Sequence, residues 1–167
     1  MIEINKANSE DIGIIAKVCR RTSSLYDPII PGSFEKQATR YEEQGLPSQY
    51  EISIIRSDGM GIGFLGEKQL NDKVFYLVAI YLLEEYQGKG YGREVFDQLL
   101  QQLEKTDSER IILLVHKEAK WAKGFYDKLG FDIIAETFED AIKAEPCIEK
   151  LYIKNTLLMR YKLNSES

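Results

Sequence analysis

Leu83-Glu84-Glu85-Tyr86-Gln87-Gly88-Lys89-Gly90-Tyr91-Gly92 decides how the chain is read, because it joins a β-rich run, Val74 to Leu83, directly to an amphipathic helix. After Gly92 the apolar residues Val95, Phe96, Leu99, Leu100 and Leu103 recur at helical spacing, with Glu, Gln and Lys on the other face. Each glycine lets the backbone take a positive φ or approach a ligand closely, and the first amides of a helix have no internal partners. Gln87 to Gly92 therefore reads as an anion cradle. The helix dipole adds about 0.3–1 kcal/mol for a negative group placed there. Lys89 and Arg93 add positive charge.

Spacing separates the kinds of phosphate cradle. A Walker loop needs Gly-Lys followed by Ser or Thr to hold magnesium, whereas Gly88-Lys89 is followed by Gly90. A dinucleotide fold needs a third glycine where this chain has Arg93. The plain alternative is a glycine-rich turn that only changes direction, and the concentration of these features at a helix start weighs against it.

Working outward, Ile2 to Asn5 alternates like a strand, and Asn8-Ser9-Glu10-Asp11 supplies an N-cap ahead of Ile12, Ile15, Ala16 and Cys19. Two prolines in Tyr26 to Gly32 make that stretch a loop, and Gly32 or Ser33 starts a second helix through Glu43. Glu51 to Arg56, Ile62 to Gln69 and Val74 to Leu83, separated by Ser57-Asp58-Gly59 and Asn71-Asp72-Lys73, predict an antiparallel meander. Downstream, Arg110 to Val115 is a short apolar strand that implies a parallel crossover through the preceding helix. Trp121, Ala122, Phe125, Tyr126 and Leu129 form a helical stripe stopped by Gly130, and Phe131 to Ala135 resumes as strand. A last strand runs from Leu157 to Leu163, and residues 136–155 are expected to form an irregular insertion and a candidate dimer contact.

At 167 residues and 44% hydrophobic content, the chain suits one domain with a substantial core, from the first residue to the last. A net charge of -5 without basic runs points away from nucleic acid and anionic membranes, and suits a cationic substrate. Cys19 and Cys147 lie far apart, with no metal-ligand spacing, so neither a zinc site nor a disulfide framework is expected. Together with an N-terminus lacking a signal-peptide pattern and no bilayer-length apolar run, this gives a cytoplasmic expectation.

Gln87-Gly88-Lys89-Gly90-Tyr91-Gly92 resembles the Q/R-x-x-G-x-G/A signature of the GNAT acetyltransferase family, and Ala122-Lys123-Gly124-Phe125-Tyr126-Asp127-Lys128-Leu129-Gly130-Phe131 resembles its A-x-x-F-Y-x-x-L-G-F block. The likeness implies an α+β fold whose mixed, mostly antiparallel sheet of about six to seven strands is flanked by helices. It also implies a splayed central strand pair that holds acetyl-CoA. Backbone amides of Gln87, Gly88, Lys89, Gly90, Tyr91, Gly92 and Arg93 are then expected at the pyrophosphate, and main-chain groups of Leu82 and Leu83 at the pantetheine arm. Ala122 and Phe125 belong to the second cofactor-binding block. Ala119 stands where the family often has asparagine, so one polar contact near the cofactor arm is missing.

Acetyl transfer to an amine by direct attack needs a neutral nucleophile, a stabilised tetrahedral oxyanion and a proton for the thiolate. By resemblance Tyr126 is the acid and the Leu82 amide the oxyanion donor; without the motif Tyr126 reads as a core residue. Glu84 and Glu85, at the strand end, are candidate bases, with an ordinary solvated turn as their alternative. His116, the sole histidine, is a second base candidate at the edge of the acceptor site. Tyr26, Ile30, Phe34 and Tyr81 are candidate acceptor-site residues. The expected function is N-acetylation of a small-molecule or peptide amine, with no metal. Competing expectations are a non-catalytic acyl-CoA-binding module, separated by turnover, and a scaffold whose glycine turn is structural, separated by failure to bind any CoA species.

Overall fold

The computed structural model describes residues 2–163. Seven strands, β1 (Ile2–Lys6), β2 (Glu51–Ser57), β3 (Met60–Gln69), β4 (Val74–Leu82), β5 (Arg110–His116), β6 (Asp132–Ala135) and β7 (Thr156–Lys162), form one open sheet in the order β1-β2-β3-β4-β5-β7-β6. The sheet is mostly antiparallel, with β4 and β5 parallel. Five helices accompany it: α1 (Ile12–Tyr26), α2 (Ser33–Gln44), α3 (Tyr91–Leu103), α4 (Lys120–Leu129) and α5 (Phe138–Ala144). The chain divides into two compact units, one of residues up to Lys68 with Ala79–Gln98, the other of Gln69–Val78 with residues from Leu99 onward.

In the first unit the helix start expected at Asn8 is a reciprocal cap. Asn8 Oδ1 accepts from the Glu10 N–H at 2.8 Å, and Asp11 Oδ2 accepts from the Asn8 N–H at 3.0 Å. The β2–β3 hairpin turns at Asp58 (φ 53°) and Gly59 (φ 79°), the left-handed pair that matches strand twist. Ile15, Ala16, Val18 and Cys19 of α1 and Phe34, Ala38 and Tyr41 of α2 pack with Ile52, Ile54 and Phe64 in one buried cluster. Arg20 ties the two helices at the surface, donating to Glu35 at 2.7 Å and bidentately to Glu42 at 2.6 and 2.8 Å.

In the second unit β4 pairs in parallel with β5 over Val74–Tyr76 against Arg110–Ile112, and β5 pairs with β7 along its whole length. Residues 136–155 are not irregular. They hold α5, capped by Thr137, and a 3-10 turn at Pro146–Leu151, and they bury Ala141 and Ile148 against Val74, Ile112, Leu114 and Leu158. Between the two lies Glu145, fully buried. Its carboxylate accepts from Arg110 Nε at 2.6 Å, Arg110 Nη2 at 3.0 Å and Arg160 Nη1 at 3.2 Å. A buried carboxylate demands such partners, and these come from β5 and β7.

Candidate active site

β4 ends at Leu82, within the first unit. The Leu83 N–H donates to the Ile62 carbonyl of β3 at 2.8 Å, so the Leu82 carbonyl, in the same peptide, is directed away from β3. Gln87 Nε2 donates to that carbonyl at 2.9 Å, latching the start of the glycine turn onto the strand end. Glu84–Tyr86 forms a 3-10 turn between them, with the Tyr86 N–H on the Leu83 carbonyl at 2.9 Å and the Gln87 N–H on the Glu84 carbonyl at 3.1 Å.

The turn itself has the geometry that a polyanion needs. Gly88 (φ 72°) and Gly90 (φ 86°) both occupy the left-handed region, Gln87 to Gly90 are exposed, and nothing lies within 4 Å of a Cβ built on either glycine. Backbone conformation, not crowding, therefore selects glycine at both positions. The first intrahelical bond of α3 runs from Glu94 N–H to the Gly90 carbonyl at 3.0 Å, which leaves the amides of Tyr91, Gly92 and Arg93 at the open end of the helix. Lys89 and Arg93 are exposed beside them.

Two of the three candidate bases, Glu84 and Glu85, stand exposed on the 3-10 turn, and Glu85 forms an ion pair with Arg21 of α1 at 3.6 Å. The acceptor-site candidates form a chain of rings in the same unit. Tyr26 stacks on Phe34 at 4.5 Å, Phe34 meets Tyr81 edge-on at 5.4 Å, and Tyr81 lies 5.2 Å from Phe64. Phe34 is part of the core, Ile30 is exposed in the loop before α2, and burial pushes the Tyr26 phenol above its ordinary pKa.

The second unit holds the other candidates. Tyr126 is buried in α4, its ring edge-on to Phe125 at 5.1 Å and to Phe131 at 5.7 Å. Gly130 (φ 109°) ends α4, and the Phe131 N–H donates to the Tyr126 carbonyl at 3.1 Å. Ala122 and Phe125 are half-buried on the same helix. Ala119 is fully buried at the N-cap and offers no side-chain cap to α4. At the end of β5, His116 Nδ1 accepts the Glu118 N–H at 3.1 Å. Spacing alone had no access to this.

Sequence reasoning also missed Gly63 of β3. A Cβ there would fall on the Tyr81 carbonyl oxygen and stand 3.0 Å from Leu82 Cδ2. Its signal in the sequence was one of three glycines, Gly61, Gly63 and Gly66, inside a strand pattern.

A sequence model described as the acetyltransferase (GNAT) family matches residues 20–131, a span that includes both the glycine turn and α4. The chain belongs to the GNAT acetyltransferase family. A curated relative, the 5-NmdU N-acetyltransferase of Pseudomonas phage PaMx11, is 25% identical over 140 residues, which cover 82% of this chain and 91% of the relative. Among solved structures, the PaiA N-acetyltransferase of Thermoplasma acidophilum in complex with coenzyme A superposes with a TM-score of 0.70 at 21% identity, covering 97% of this chain and 99% of that one. The ribosomal-protein-S18-alanine N-acetyltransferase of Escherichia coli gives 0.67 at 18% identity, covering 100% and 97%. These likenesses cover nearly the whole chain and share its fold. Among the described residues no group of three or more His, Cys, Asp or Glu is placed to hold a metal ion, and no helix is long and apolar enough to cross a membrane.

Proposed function

We propose that this GNAT chain is an acetyl-CoA-dependent N-acetyltransferase that acts on a primary amine of a small molecule or peptide. The observation that carries the proposal is the pair of exposed left-handed glycines, Gly88 and Gly90, leading into the free amides of α3. That arrangement fits a pyrophosphate, with Lys89 and Arg93 adding charge. The Thermoplasma structure of the same fold carries coenzyme A.

When bound, acetyl-CoA supplies a thioester carbon open to attack by a neutral amine. The amides from Gly88 to Arg93 hold the pyrophosphate, that of Gln87, expected among them, being given to the Glu84 carbonyl at 3.1 Å, and the main chain at Leu82 orients the arm. The Leu82 N–H donates to the oxygen on which charge develops, a contribution of about 10²–10³ in rate where such donors have been removed. By the family resemblance Tyr126, a buried residue packed by Phe125 and Phe131, is the acid that gives the departing sulfur its proton. Glu84 or Glu85 takes the amine proton, directly or through water, both being exposed on the turn after β4 and Glu85 standing 3.6 Å from Arg21. The relatives are named for 5-NmdU and for the alanine of ribosomal protein S18, so the acceptor differs from one to the other.

The buried Ala119, without a polar side chain at the α4 N-cap, favours a second reading in which the chain binds acyl-CoA without turning it over. A screen of polyamines, amino acids, nucleoside amines and N-terminal peptides with acetyl-CoA, followed by thiol release, separates the two. Release that depends on an amine supports transfer; tight binding with no release from any class supports the binding module.

A further inference from the structure

We propose that Gly63 and the side-chain amide of Gln87 are positioning residues that set the direction of the Leu82 peptide. This rests on the reading of Leu82 as the oxyanion donor. In a regular antiparallel ladder a Cβ stands perpendicular to the sheet and clears the neighbouring strand. On Gly63 it would instead land on the Tyr81 carbonyl oxygen and come within 3.1 Å of Leu82 Cα. The end of β4 is thus turned so that the Tyr81 carbonyl lies over β3, in space that exists only because residue 63 has no side chain.

The direction of the next amide follows from peptide geometry. The described residues contain no cis bond, and in a planar trans peptide the N–H points opposite to the C=O. A Tyr81 carbonyl directed at β3 therefore sends the Leu82 N–H away from β3. The following peptide repeats the logic, with the Leu83 N–H on Ile62 at 2.8 Å and the Leu82 carbonyl turned outward. Gln87 Nε2 holds that carbonyl at 2.9 Å. Leu82 is clamped on both sides, by the absence of a side chain at Gly63 and by the presence of one at Gln87. A methyl at 63 must push the Tyr81 carbonyl off β3 and swing the Leu82 N–H out of line.

The test is ¹³C NMR of acetyl-CoA labelled at the thioester carbonyl, bound to wild type and to Gly63→Ala. A donor aimed at the carbonyl polarises it, so the wild-type bound resonance is expected downfield of free acetyl-CoA. Gly63→Ala is expected to bind within roughly threefold of wild type, because the glycine turn is untouched, while its carbonyl resonance moves back toward the free value. Should Gly63→Ala fail to fold, Gln87→Leu releases the same peptide from the other side and is expected to move the resonance in the same direction. Binding with the wild-type resonance retained in either folded variant overturns the inference but leaves the acetyl-CoA reading standing. No binding by wild type overturns that reading and the inference with it.

Discussion

Gln87 Nε2 donates to the Leu82 carbonyl at 2.9 Å, so the first residue of the glycine turn is fastened to the last residue of β4. The bond spans the 3-10 turn that carries Glu84 and Glu85, and it makes the strand end and the anion cradle one local structure. Leu82 and the Gly88 to Gly92 turn are thereby tied together through one side-chain hydrogen bond.

Tyr126→Phe removes only the hydroxyl from a ring already packed by Phe125 and Phe131. With an amine acceptor in hand, kcat is expected to fall by about 10²–10⁴, the range for a lost general acid, with acetyl-CoA affinity unchanged by calorimetry. Full turnover removes Tyr126 from the mechanism.

Glu145 is fully buried against two guanidinium groups, and Glu145→Ala removes the carboxylate they share, leaving Arg110 its longer ion pair with Glu109 at 3.7 Å. Urea denaturation is expected to show a loss of about 3–5 kcal/mol. A loss below about 1 kcal/mol, the value of a surface pair, contradicts the account of residues 136–155.

Burial, with the facing Glu51 second, pushes the Glu67 carboxyl up from 4.5 to about 7. A carboxyl whose folded pKa is raised contributes stability below its unfolded value, and that stability is lost as pH rises through the folded value. Between about pH 4.5 and 7, wild type should lose about 1–2 kcal/mol that Glu67→Gln keeps, a figure reduced from the full shift because Glu67 is only half-buried. Urea midpoints at pH 5 and pH 8 read the difference; parallel pH dependence in both proteins refutes it.

Burial also pushes the Cys19 thiol up to about 12. At pH 8 an aromatic disulfide reagent should leave Cys19 untouched until the protein unfolds, while the less buried Cys147 reacts first. Mass spectrometry of the labelled peptides checks the order.

Strands and the glycine turn were legible because their signals are local: alternation, helical spacing, and glycines where φ must be positive. Gly130 was legible for the same reason, and its φ of 109° is the left-handed stop its position predicted. Residues 136–155 were not, because their order depends on Glu145 finding Arg110, 35 residues earlier, and Arg160, 15 residues later. No window of sequence contains that ion cluster. His116 stands at a strand end as expected, and the bond from the Glu118 N–H to its Nδ1 is a detail that spacing could not give. Gly63 was hidden because close approach of a neighbouring strand is a property of the fold, not of the segment.

The most direct test of the central claim is calorimetric titration of wild type and Gly90→Glu with acetyl-CoA under the same conditions. Gly90 sits at φ 86° with its surroundings open, so glutamate there brings backbone strain and a negative charge into the cradle without crowding the core. The account predicts micromolar binding by wild type and its loss, by about a hundredfold or more, in the variant. Equal affinity for both proteins would contradict it.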